Sequence, residues 1–159
     1  MKKMLYIDMD GVINLFEHDP DARTNMWERG YFRDISPREN IESDLIMLSG
    51  YFDGIVILTK CIGRDGVEEE KGKFVERHLS HVDRLSMVFV PYGRSKADYI
   101  DPGCFTVLLD DGLKNIMECD EDGNPVETMF DHTGTRMCGQ YGQGLIEVPV
   151  LVFSLNSHI

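Results

Sequence analysis

The chain has 159 residues, of which 42% are hydrophobic, and its 28 acidic and 16 basic side chains give a formal net charge of −12. This length predicts a single domain over residues 1–159 with a sizeable core. The acidic balance argues against a nucleic-acid polymer or an anionic membrane as the main partner, although a local metal ion and one lysine can reverse the field around a phosphorylated substrate.

Apolar runs predict the strands of the protein. Each run is continuous rather than alternating, which is typical of strands buried on both faces of a parallel sheet. The runs are MLYI (4–7), GIVILT (54–59), LSMVFV (85–90), FTVLL (105–109) and VPVLVF (148–153).

Helix signals lie between these runs. In the stretch 36–50, Ser36 predicts an N-cap, Pro37 a first turn and Glu39 a capping box. Further helices are predicted over 66–81, after Ser95 as a cap, and from 112 to 119. Because strands and helices alternate, the predicted fold is α/β, a doubly wound, Rossmann-like parallel sheet of about five strands.

Two stretches do not fit this alternation. Residues 14–36 read as a small cap insertion after the first strand, and 119–147 as a glycine-rich loop or hairpin before the last. The insertion carries aromatic residues that either pack it onto the core or cover a site, and packing is the simpler reading. These residues are Phe16, Trp27, Tyr31 and Phe32.

Polar side chains follow the predicted strands, at the points where the strands end. In a parallel sheet these ends share one edge, where ligands bind. Each residue alone has an ordinary explanation as a cap, a strand residue or an exposed helix residue, but their joint occurrence favours a site. They are Asp8 and Asp10 after the first strand, Thr59 in the second, Lys96 after the third, and Asp110 and Asp111 after the fourth.

This pattern resembles the motifs of the haloacid dehalogenase superfamily. The resemblance covers residues 5 to about 116, and the acid motifs DMDGV and LLDD are its most specific parts. Among the branches of the superfamily, these two motifs most resemble the 5'(3')-deoxyribonucleotidases. The resemblance implies a magnesium-dependent phosphatase that acts on a small monophosphate.

The resemblance also implies roles for the residues. Asp8 would be the nucleophile that forms an aspartyl phosphate, and Asp10 the general acid and base. Mg²⁺ would be held by the carboxylates of Asp8 and Asp110 and by the main-chain carbonyl of Asp10. Thr59 and Lys96 would bind the phosphoryl oxygens. A supporting role falls to Asp111, which would orient a metal-bound water or the lysine.

Two other phosphate-related motifs do not fit the sequence. A phosphate loop in GVEEEKGK fails, because no Ser or Thr follows Lys73. In a response-regulator receiver the acid pair precedes the phosphoacceptor, whereas here it comes last. Two alternatives to a nucleotidase stay open: a phosphatase for a sugar phosphate, and a non-catalytic phosphoryl-binding or regulatory domain on the same scaffold.

Targeting signals and cysteines predict a cytoplasmic location. The first apolar run ends at Asp8, too short for a signal peptide, and no segment could span a membrane. The four cysteines form no C-x-x-C pair, and their scatter is typical of reduced thiols. A zinc site from Cys119, His132 and Cys138 would fit no standard finger spacing.

Overall fold

A computed structural model of the chain describes residues 1–111, together with the backbone of residues 128–130 and 136–140. Within these residues the architecture is α/β, with four parallel strands in one sheet and helices in the connections. The strand predicted at 148–153 and the helix predicted at 112–119 lie outside the described residues. None of the described helices is both long enough and apolar enough to cross a bilayer.

The first four strands form where the apolar runs predicted them. The strands are β1 Lys3–Ile7, β2 Gly54–Cys61, β3 Leu85–Pro91, β4 Phe105–Asp110, β5 Thr128–Phe130 and β6 Arg136–Gln140. The first four are parallel, whereas β6 pairs antiparallel with β4 and β5 pairs antiparallel with β6, in the order β3-β2-β1-β4-β6-β5. The last two strands fall within the predicted 119–147 connection.

Helices of very different length connect the strands. The longest helix among the described residues lies between β2 and β3, has 12 residues and forms inside the predicted 66–81 stretch. Among the described residues the helices are α1 Ala22–Asn25, α2 Tyr31–Asp34, α3 Ile41–Leu48 and α4 Val67–His78, and 3-10 turns span Phe16–His18 and Lys96–Tyr99.

The start predicted for the helix after the insertion is wrong. That helix, α3, begins at Ile41 rather than after Ser36, and no side chain caps it. The reason is that the residues before it are already used: Pro37 forms a β-bridge with Asn14, and the Arg38 guanidinium donates to two carbonyls of the first loop. The backbone reverses at Asn40, whose φ is +61°.

Both faces of the sheet are buried along most of β1, β2 and β4, which explains their continuous apolar runs, whereas most residues of β3 are only half-buried or exposed. Along β2, Ile55 and Ile57 face the cluster that contains α3, whereas Val56 and Leu58 belong to a second cluster on the other face. The register aligns Ile7 of β1 with Ile57 on one side and Leu109 on the other. Because these three strands are parallel, their carboxyl ends lie at one edge of the sheet, although β2 continues to Cys61, past the residue that pairs with Ile7.

Candidate functional site

One group of side chains joins the ends of β1 and β4 through Lys96. The Lys96 Nζ atom lies 2.8 Å from Oδ1 of Asp8 and 2.5 Å from Oδ2 of Asp110. Ser95 caps the 3-10 turn that carries this lysine, since its hydroxyl accepts from the Ala97 amide at 3.2 Å. The Lys96 side chain is only 1% exposed and that of Asp110 is fully buried. The Lys96 ammonium is therefore paired with two carboxylates in a buried position.

Burial and charge act against each other in this group. Burial raises the pKa of Asp8 to about 6, although attraction to Lys96 lowers it and repulsion from Asp110 and Asp10 adds to the rise. For Lys96, burial alone would lower the pKa, but the two carboxylates raise it above its usual value. Attraction to Lys96 favours the ionised form of Asp8, which is the state that a nucleophilic carboxylate needs.

A second group joins the ends of β1 and β2 through a different lysine, Lys71 of α4. Its Nζ donates to Oδ2 of Asp10 at 2.5 Å, to Oγ1 of Thr59 at 2.7 Å and to the carbonyl of Lys60 at 2.9 Å. The same ammonium lies 4.6 Å from the ring centroid of Phe32, a cation–π distance. Lys71 is fully buried, whereas the side chain of Asp10 remains 22% exposed.

The turn after β1 fixes the other oxygen of Asp10. The buried Asn14 amide donates to Asp10 Oδ1 at 2.9 Å, and its carbonyl oxygen accepts from the amides of Gly11 and Phe16 at 3.1 Å. Gly11 has a φ of +83°, and a side chain there would collide with Asp111. Both oxygens of Asp10 thus have donors, and the carboxylate is held in one orientation.

A third acid lies beside the first group. Asp8, Asp110 and Asp111 each offer a carboxylate oxygen, and the three atoms lie within 4.8 Å of one another. Burial, followed by a hydrogen bond with Glu17, raises the pKa of Asp111 to about 9. An all-oxygen donor set suits a hard cation such as Mg²⁺ better than a thiophilic one. The residues present thus fit the ion that the resemblance implies. Because the raised pKa favours the protonated form of Asp111, binding of the ion would have to displace the proton from this side chain.

Residues 14–36 form a closed segment fastened to α4. Its ends meet where the Leu15 amide donates to the Ser36 carbonyl at 3.0 Å. Glu70 of α4 accepts from the Gly30 amide at 2.8 Å, and Arg64 binds both oxygens of the same carboxylate, at 2.9 and 2.7 Å. These contacts of Glu70 hold the segment against α4, beside the carboxyl edge of the sheet.

The aromatic residues of the segment divide into two kinds. The ring of Phe32 is buried and lies 5.3 Å from that of Tyr31 and 6.4 Å from that of Phe16, measured between centroids. Trp27, in contrast, is 55% exposed. Three of the four therefore pack the segment together, and only Trp27 presents most of its surface to solvent.

A cleft of about 560 Å³ opens within the segment and does not contain the acid and lysine groups. Its polar lining includes the Tyr31 hydroxyl, which donates to Asp19 at 2.8 Å. The candidate site therefore lies at the strand ends and not in this cleft. The lining residues are Leu15, His18, Asp19, Asn25, Glu28, Arg29, Gly30, Tyr31, Asp34, Ile35 and Ser36.

All six residues singled out in the sequence lie at the carboxyl edge, but in two groups. Lys96 gathers Asp8 and Asp110, with Asp111 adjacent, whereas Asp10 and Thr59 belong with Lys71. The Asp10 carboxylate lies outside the three-acid set, and the metal ligand predicted from this residue is its main-chain carbonyl.

Sequence reasoning missed Lys71, Asn14 and Glu17. A signal for Lys71 was present, because it shares a helix face with the buried Val67 and Phe74. A lysine on an apolar face needs a partner, and that partner could have been sought. No comparable pattern marks Asn14 or Glu17.

A scan of the chain against protein-family models finds no matching family, and a search of curated proteins finds no significant match. The resemblance to the haloacid dehalogenase superfamily therefore stays a prediction. It rests on the motifs and on the edge of the sheet where their residues lie.

Proposed function

We propose that this protein is a metal-dependent phosphomonoester hydrolase of the haloacid dehalogenase type, acting through an aspartyl phosphate. The observation that carries the proposal is the pairing of two adjacent acids with two different buried lysines. Asp8 is paired with Lys96 at 2.8 Å and Asp10 with Lys71 at 2.5 Å. Two carboxylates only two residues apart thus have separate surroundings, which suits separate roles as nucleophile and proton carrier.

The two proposed steps use these acids in turn. First, an oxygen of Asp8 attacks phosphorus; the new P–O bond forms as the bond to the leaving oxygen breaks, and Asp10, which enters this step in its protonated form, gives that oxygen its proton. Next, Asp10 removes a proton from a water molecule that attacks the same phosphorus. The bond to Asp8 then breaks, inorganic phosphate leaves, and both aspartates return to their starting states.

The remaining residues of the site bind charge. Mg²⁺ would be held by the carboxylates of Asp8 and Asp110 and the main-chain carbonyl of Asp10, with Asp111 in support. When bound, the ion would offset the negative charge between Asp8 and the phosphoryl oxygens. Thr59 and Lys96 would donate to those oxygens and stabilise their charge in the transition state.

The substrate we propose is a small phosphorylated metabolite of the nucleoside monophosphate class. We assign residues 14–36 as a small cap and the whole as a doubly wound sheet. Glu70 and Phe32 fasten this segment beside the site, which supports a role in limiting substrate size. Cys61 and Cys104 are free thiols, in keeping with the proposed cytoplasmic location.

The test of the proposal is hydrolysis of p-nitrophenyl phosphate with Mg²⁺ and with a chelator. We expect turnover only with the metal, and none in Asp8→Asn. A matched control is Asp83→Asn, an exposed acid just before β3, which should behave as wild type. Wild-type protein that turns over no phosphomonoester would contradict the hydrolase proposal and leave the non-catalytic phosphoryl-binding domain. Turnover of sugar phosphates but of no nucleotide would reject only the nucleotidase assignment.

A further inference from the structure

The side chain of Lys71 is 0% exposed, and every N–H donor of its ammonium has a protein oxygen as partner. An ammonium has three N–H donors, and three oxygens from Asp10, Thr59 and Lys60 lie 2.5 to 2.9 Å from Nζ. Burying a charge without water is costly unless it is paired and hydrogen-bonded. A leucine or methionine would fill the same face of α4 without that cost. The contacts, rather than packing alone, therefore account for a lysine at this position.

The contact with Thr59 fixes the direction of a proton. Because an ammonium can only donate, Oγ1 of Thr59 must accept, and its own hydroxyl proton points elsewhere. Among the described residues, no hydrogen bond from this hydroxyl to an acceptor is found. The proton is thus available to an acceptor at the edge of the sheet, such as a phosphoryl oxygen.

The contact with Asp10 fixes a carboxylate. Lys71 holds Oδ2 while Asn14 holds Oδ1, so the group cannot rotate without losing a donor. The anchor is rigid, since α4 buries Val67 and Phe74 on the same face and Phe32 covers the ammonium. One buried cation thereby sets the orientation of two groups that come from different strands.

We propose that Lys71 is a positioning residue, which aims the Asp10 carboxylate and the Thr59 hydroxyl at the same bound phosphoryl group. This inference rests on the proposed function. It assigns the two lysines different tasks: Lys96 neutralises charge beside the nucleophile, whereas Lys71 orients the proton carrier and the hydroxyl donor.

A purely structural role for Lys71 would lower activity equally on all substrates. A positioning role depends on the leaving group, because an alkoxide needs the proton from Asp10 and p-nitrophenolate needs it much less. General acid–base help is worth about a hundred- to ten-thousand-fold. A misaimed Asp10 should therefore forfeit at least about tenfold more on an alkyl phosphate than on p-nitrophenyl phosphate.

The experiment measures kcat and KM for propyl phosphate and p-nitrophenyl phosphate, with Mg²⁺, in wild type, Lys71→Met and Lys71→Gln. The control is Lys73→Met on the same helix, a lysine that is 51% exposed and pairs with Glu69. We expect the kcat ratio of the two substrates to shift by about tenfold or more in Lys71→Met. Lys71→Gln keeps a neutral donor and should shift the ratio less, and Lys73→Met should not shift it.

The outcomes separate the two proposals. Equal losses on both substrates in an active protein would overturn the role of Lys71 and leave the proposed function standing. Unfolding of both Lys71 variants, seen by circular dichroism, would mean that the residue serves the fold, and would equally overturn its positioning role. Wild-type protein that hydrolyses neither ester would overturn the proposed function and this inference with it.

Discussion

The two buried lysines at the edge of the sheet differ in the charge that they face. Lys96 contacts the carboxylates of both Asp8 and Asp110, so two acids face one ammonium and the group carries excess negative charge. Lys71 contacts one carboxylate and two neutral oxygens, so its group is balanced. The difference teaches that the charge of the Lys71 group is balanced as it stands, whereas on the Lys96 side the proposed cation would offset an unbalanced carboxylate.

Their supports differ as well. Lys96 stands on a four-residue 3-10 turn, while Lys71 stands within the 12-residue α4. A long helix with a buried face holds a side chain more firmly than a single short turn. We therefore expect the Lys96 side to respond to ligands and the Lys71 side to stay fixed.

The largest expected effect separates the two acids that the lysines hold. Asp8→Asn should abolish turnover, because no attacking carboxylate remains. Asp10→Asn should instead release a burst of p-nitrophenol from p-nitrophenyl phosphate and then stall, since water attack lacks its base. Stopped-flow absorbance measures both. A burst in Asp8→Asn, or steady turnover in Asp10→Asn, would contradict the separate roles of Asp8 as nucleophile and Asp10 as general acid and base.

The next effect is on stability. Lys96→Met leaves two buried carboxylates without their cation, and breaking a buried pair costs about 3–5 kcal/mol. Lys71→Met should lower the free energy of unfolding less, because Asp10 is 22% exposed and keeps Asn14. Urea unfolding in a chelator measures both variants. A greater loss of unfolding free energy in Lys71→Met than in Lys96→Met would contradict the conclusion that the excess negative charge lies around Lys96.

Metal binding should act on one side only. We predict that Mg²⁺ raises the melting temperature by about 5–10 °C, since saturation at a hundred times Kd is worth about 2.7 kcal/mol and each kcal/mol shifts the melting temperature of a chain of this size by about 2–4 °C. Asp110→Asn should weaken this response, whereas Asp10→Asn should keep most of it, because its proposed ligand is a main-chain carbonyl. Differential scanning fluorimetry measures the shift. Equal shifts in wild type and Asp110→Asn would reject the ligand set.

The smallest effect is the pH dependence of the metal-free protein. The folded-state pKa values of Asp8 and Asp111 are raised from 3.8 to about 6 and about 9. At these two groups the folded state thus binds more protons than the unfolded one, so the stability that they contribute is fully present below about pH 4 and is lost as pH rises through 6 and towards 9. Asp111→Asn should flatten the upper part of this decline. Melting temperatures in a chelator that rise between pH 6 and 9 would contradict the sign.

The sequence predicted the parallel strands and the six edge residues well for one physical reason. Buried parallel strands are apolar without interruption, so a run such as GIVILT marks both the strand and its polar end. The predicted start of α3 was wrong because capping rules consider only neighbouring residues, whereas Pro37 and Arg38 bind residues that are distant in the chain. Lys71 was missed for the same reason: its partners are 11 to 61 residues away.

The measurement that tests the account most directly is mass spectrometry of the Asp10→Asn protein, quenched in acid during reaction with p-nitrophenyl phosphate and Mg²⁺. The account predicts one phosphate added to the chain, and peptide mapping should place it on Asp8. The double variant Asp8→Asn, Asp10→Asn should remain unmodified. Phosphate on another residue, or none on the chain while p-nitrophenol is released, would contradict the proposal that Asp8 is the nucleophile.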